Sequence, residues 1–89
     1  MNAEKLKELN RVRQEASLLN IGKTGISNDF VRELKEQLKK RKIIKIRILK
    51  NAPFKGRLEA VSILRNQIPS VEVVEVRGRT VIITEKRNY

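Results

Sequence analysis

The run Ile43-Ile44-Lys45-Ile46-Arg47-Ile48-Leu49 limits the fold more than any other stretch of the sequence. Ile44, Ile46 and Ile48 alternate with Lys45 and Arg47, which is the two-residue period of a β-strand. Such a strand puts a wholly apolar row on one face and cations on the other. A sheet built around it is expected to be covered on one side only, with a polar, basic surface opposite. At 89 residues the chain has room for one domain, residues 1–89, with a single modest core.

The remaining elements follow from period and punctuation. Residues 2–16 have a helical pattern, with Leu6, Leu9, Val12 and Ala16 near one face. Ser17 to Ile21 reads as a short strand stopped by glycine. Ser27 is a suitable N-cap for a helix running to about Lys40, with Phe30, Val31, Leu34 and Leu38 as its buried stripe. Ile26 and Val31 occupy the positions of a hydrophobic staple. Lys50 to Pro53 forms a turn. A helix is expected from Phe54 to Ile68, burying Leu58, Val61, Leu64 and Ile68 and ending at Pro69-Ser70. Val71–Arg77 and Arg79–Glu85 are β-branched runs flanking Gly78, a hairpin pattern. Asn88-Tyr89 reads as a frayed end. The order α-β-α-β-α-β-β predicts an α/β domain with a mixed four-stranded sheet and helices packed on it.

Between the two strand candidates lies Ile21-Gly22-Lys23-Thr24-Gly25-Ile26, a Gly-x-x-Gly loop carrying a lysine. Neither glycine has a Cβ, so a ligand can approach the backbone closely. A helix starting just behind the loop adds free N–H groups and a positive dipole end, which suit a phosphate. A phosphate-loop nucleotidase is excluded, because Ser17 stands where that motif requires its leading glycine.

Charge narrows the class of partner. Lysine and arginine total 21 against 10 acids, for a net charge of +11. Between Glu36 and Glu59 there are nine basic residues and no acid: Lys39, Lys40, Arg41, Lys42, Lys45, Arg47, Lys50, Lys55 and Arg57. Arg77, Arg79, Lys86 and Arg87 form a second group. A helix C-terminus accounts for one or two of the cations in Lys39–Lys42, not for all nine. The balance points to a polyanion, and nucleic acid fits it best.

Without histidine or cysteine, the commonest general base and the thiolate metal ligands are missing, so no enzyme, cofactor or metal site is expected. The sequence contains no run of transmembrane length, and its start lacks the apolar core of a signal peptide, so a cytoplasmic protein with no membrane partner is expected. Aromatic residues are confined to Phe30, Phe54 and Tyr89. The first two are better placed in the core, so base stacking is not the main device and the nucleic acid is expected to be held by its backbone.

The segment Leu18-Leu19-Asn20-Ile21-Gly22-Lys23-Thr24-Gly25-Ile26-Ser27 resembles the strand–GxxG–helix stretch of the CRM domain (chloroplast RNA splicing and ribosome maturation), whose stand-alone bacterial members are YhbY-like. The likeness continues through Val31-Arg32-Glu33-Leu34, through Ile43–Ile48 and through Val76–Ile83. It implies a two-layer α/β domain similar to the C-terminal domain of a bacterial translation initiation factor. It also implies binding of ribosomal or precursor RNA, association with large ribosomal subunit precursors, and RNA contact at Gly22, Lys23, Thr24 and Gly25. Lys39, Lys40, Arg41, Lys42, Lys45 and Arg47 are expected to extend that contact, and Gly25→Asp is expected to weaken it with the fold intact. Two rivals share features with this reading. A KH domain has its Gly-x-x-Gly between two helices. An Alba-like chromatin protein has a similar architecture, and the stretch from Val61 to Val73 reads somewhat like one.

Overall fold

A computed structural model describes residues 3–86. The expected fraying at Asn88-Tyr89, the cation Arg87 and the helix start at Asn2 lie outside those residues. In chain order the elements are α1 (Ala3–Gln14), β1 (Leu19–Ile21), α2 (Asn28–Lys40), β2 (Ile43–Ile48), α3 (Arg57–Gln67), β3 (Val71–Arg77) and β4 (Thr80–Glu85). The expected class, order and mixed sheet are all present.

The sheet order is β1-β2-β4-β3. β1 lies parallel to β2 with Leu19 opposite Ile46 and Ile21 opposite Ile48, and α2 makes the crossover. β4 runs antiparallel to both β2 and β3. The β3–β4 connection is the two-residue loop Gly78-Arg79. Gly78 has φ +58° and no non-glycine residue among the described residues has positive φ, which is the type II′ pattern that matches strand twist.

The alternation in β2 sorts the core. Ile44, Ile46 and Ile48 join Ile21, Val81 and Ile83 on one face, buried against Leu34 and Leu38 of α2 and Ala60, Val61 and Leu64 of α3. α2 is anchored at its start by the predicted N-cap, where the Ser27 hydroxyl accepts from the Phe30 N–H at 3.2 Å. Phe30 and Phe54 both pack on this core while staying partly exposed.

The expectation of a sheet covered on one side only is corrected at the second face. Leu9 and Val12 of α1 pack there on Ile43 and Ile82, with Val74 alongside. A bulge between Val73 and Glu75 aims two successive residues of β3 at α1. Val74 joins the apolar cluster, and the Glu75 carboxylate receives the Arg13 guanidinium, with Nε donating at 3.0 Å. That hydrogen bond, aided by the guanidinium charge, holds the Glu75 carboxyl below its ordinary pKa against the opposing effect of burial. α1 leaves Asn20, Arg47 and Arg77 exposed on this face.

Two apolar assignments are also corrected. Leu6 is exposed and α1 ends at Gln14, so Ala16 is not on the helix. Leu58 is 74% exposed. α3 begins at Arg57 rather than Phe54, and its buried side is centred on Ala60, Val61, Leu64 and the following Ile68. Leu58 points about 100° away from that centre at 3.6 residues per turn.

Candidate functional site

The parallel pairing of β1 and β2 brings the loops that follow them to the same end of the sheet. Leu49 N–H donates to Ile21 O at 2.9 Å, and Ile48 N–H donates to Arg79 O in the hairpin at 2.7 Å. The Gly22–Gly25 loop, the 50–56 loop, the start of α3 and the Gly78-Arg79 turn therefore converge.

Gly22–Gly25 is a closed turn in which the Gly25 N–H donates to Gly22 O at 2.9 Å. Lys23 and Thr24 have negative φ, as a type I turn requires, and both are exposed at its tip. The two glycines differ. Gly25 is buried with φ +67°, and a Cβ there would lie 3.1 Å from Pro53 Cγ and 3.7 Å from Phe54 Cζ. The turn itself needs this glycine, so the expectation that Gly25→Asp leaves the fold intact is corrected. Gly22 has no such strain, and its Cβ would meet Leu49 Cδ1 at an ordinary 3.6 Å.

Cations that were not among the predicted site residues lie on the loops that converge with this turn. Lys50, Lys55, Arg57 and Arg79 are exposed there. Arg79 is held in place, with Nε donating to Ile48 O at 2.9 Å and Nη2 to Leu49 O at 3.0 Å. Arg57 donates to Gly78 O at 3.3 Å. The sequence clue was available, since cations follow each of the two parallel strands and flank the hairpin glycine. Only the strand order reveals that these places adjoin.

The remaining predicted residues are not gathered at this point. Lys39, Lys40, Arg41 and Lys42 end α2 and lead into β2, at the opposite end of the sheet from Gly22. The length of β2 separates the two groups by roughly 17 Å at about 3.3 Å per residue. Lys39 pairs with Glu36 at 3.4 Å and Arg41 with Glu15 at 3.9 Å, both in exposed positions where such pairs contribute little. Arg47 is exposed between the groups on the bare part of the second face, opposite Asn20 and Thr80.

Lys45 lies on the same face but is engaged differently. Its ammonium donates to Arg13 O and Glu15 O, each at 3.0 Å. It therefore closes the C-terminus of α1, where orphan carbonyls and the negative dipole end favour a cation. No group of acids placed to hold a metal ion occurs among the described residues, and no described helix is long and apolar enough to cross a membrane.

Comparison with known proteins bears on the family and the fold. Residues 1–83 match the CRS1 / YhbY (CRM) domain family. The solution structure of a hypothetical protein from Staphylococcus aureus, described as a candidate RNA-binding protein, aligns with a TM-score of 0.68 and 25% sequence identity. That alignment covers 97% of this chain and 90% of the other. No curated protein matches the sequence.

Proposed function

The chain belongs to the CRS1 / YhbY (CRM) domain family, and from that premise we propose that it binds RNA, holding the phosphate backbone at the Gly22–Gly25 turn. The observation that carries this reading is the convergence of an exposed Lys23-Thr24 tip with Lys50, Lys55, Arg57 and Arg79 at one end of the sheet. Cations so placed neutralise phosphates and release counterions, which gives affinity without reading sequence. Gly22 admits the backbone, Lys23 supplies charge, and Thr24 offers a hydroxyl. Arg47 carries the contact onto the bare face, and Lys39, Lys40, Arg41 and Lys42 form a second anchor at the far end. Lys45 acts by holding α1 in position.

The role we propose is in ribosome assembly or RNA maturation in the cytoplasm, on ribosomal or precursor RNA and in association with large-subunit precursors. The family and its solved neighbour favour a binding protein over an enzyme. The Gly-x-x-Gly turn joins a strand to a helix, unlike the KH arrangement between two helices. Family membership likewise favours the CRM reading over the Alba-like one.

The test is competition between structured ribosomal RNA and duplex DNA of matched length at about 0.15 M salt. RNA is expected to win. Lys23→Ala should weaken binding and flatten the salt slope by about one unit. Gly22→Asp sets a carboxylate where a phosphate would rest and should cost on the order of tenfold or more in affinity. Its thermal midpoint should stay near wild type, since the site has room for a Cβ. Equal binding to DNA, with neither variant having an effect, would refute the reading.

A further inference from the structure

The part of the second sheet face that α1 leaves bare is an open groove of about 470 Å³. Ser17, Asn20, Arg47 and Thr80 line it with polar groups, and Leu49 forms an apolar wall. The side chains of Ser17, Asn20 and Arg47 make no hydrogen bond or ion pair with the described residues. The Thr80 hydroxyl donates to Arg77 O at 2.7 Å and keeps its own oxygen free to accept. Glu15, an acid that also lines the groove, has its charge offset by Arg11 and Arg41. Asn20 and Arg47 are register partners on adjacent strands, so an amide and a guanidinium stand side by side. The groove borders the Gly-x-x-Gly turn, since Leu49 Cδ1 lies 3.6 Å from the Cβ position of Gly22.

We propose that this groove is a nucleobase subsite that takes one unpaired purine of an RNA whose backbone is held at the adjoining turn. The inference rests on the RNA-binding reading above. Phosphate contacts fix position but carry no sequence information, which is read by groups that reach base edges. An arginine pairs with the N7 and O6 acceptors of guanine, and an asparagine with the N7 and N6 of adenine. Both pairs use the N7 edge that only purines have. The base has to be unpaired, because in an RNA duplex that edge faces a deep, narrow groove that side chains cannot read. Leu49 offers the base an apolar surface in a chain with few aromatic residues. Charge gives the same orientation, since the cations at the turn hold the backbone at the mouth of the groove.

The experiment measures binding of the full chain to single-stranded oligo(rA), oligo(rG), oligo(rC) and oligo(rU), and to a blunt RNA duplex, at fixed salt. Wild type, Asn20→Ala, Arg47→Met and Lys23→Ala are compared. Asn20 and Arg47 are exposed, so neither variant removes core packing. Purine strands are expected to bind roughly tenfold better than pyrimidine strands. Asn20→Ala and Arg47→Met should shrink that ratio towards one. Lys23→Ala should weaken every strand alike and leave the ratio unchanged. If Lys23→Ala weakens binding but wild type ranks the four strands equally, or both groove variants keep the full ratio, the subsite is refuted and the RNA-binding reading stands. If wild type binds none of the RNAs, that reading fails and the subsite falls with it.

Discussion

The two faces of the sheet are built to different specifications. On one, Ile44, Ile46, Ile48, Val81 and Ile83 are sealed under α2 and α3 with no polar side chain among them. On the other, Ile43 and Ile82 meet Leu9 and Val12 of α1, Thr84 is buried, and the remaining area stays open around Asn20 and Arg47. Packing on the first face specifies the fold. On the second, α1 covers enough area to protect the strands and stops short of the part that borders the Gly-x-x-Gly turn. A small basic domain thereby keeps one side for stability and leaves the other partly open, where we propose that RNA is recognised.

The contrast is open to test, starting with the largest effect. Leu64→Ala removes a side chain that is 1% exposed in the main core, and urea denaturation should show a loss of about 3–4 kcal/mol. Leu9→Ala empties a site in the smaller cluster beneath α1 and should cost about 2 kcal/mol, near the low end for such changes. Hydrogen exchange in that variant should quicken first in α1 and leave β2 and β4 protected. If the two variants lose equal stability and exchange uniformly, the faces are not energetically distinct.

The smallest effect concerns the Arg13–Glu75 pair, which ties α1 to the bulge. The folded-state carboxyl has a lowered pKa, so its contribution is present above the ordinary glutamate range near 4.3. It is lost as pH falls through the lowered folded value. Wild type should be more stable than Glu75→Gln at neutral pH, and the gap should close on acidification. A gap that stays constant with pH would mean that the pair does not stabilise the face through charge.

How much of this was legible in the sequence depended on distance along the chain. The β2 alternation, the Ser27 cap and the Gly22–Gly25 turn are signalled within a few residues, and each element is present, although Gly25 is buried against Pro53 and Phe54 rather than open to a ligand. Lys45 gave the same local signal as Arg47. Its partners, Arg13 O and Glu15 O, lie about thirty residues earlier in the chain, and no periodicity reports a helix end lying over a strand. Leu58 is three residues before Val61 and so counts with the apolar stripe, yet it lies about 100° from the buried centre of α3; Phe54 precedes the helix, and its ring packs behind Gly25. The spread of the predicted cations over two ends of the sheet follows from the parallel β1–β2 pairing, which only the fold determines. Asn20 did leave a trace, as a polar residue in an apolar run with the same outward parity as Arg47.

The bulge between Val73 and Glu75 has a second consequence. β3 is an edge of the sheet and, at seven residues, the longest strand in it. An unbroken edge of that length offers a row of backbone donors and acceptors to any other extended chain. The bulge interrupts that row, and Glu72 and Arg77 add charge along it. The irregularity that seats α1 thereby also disfavours edge-to-edge pairing along this strand.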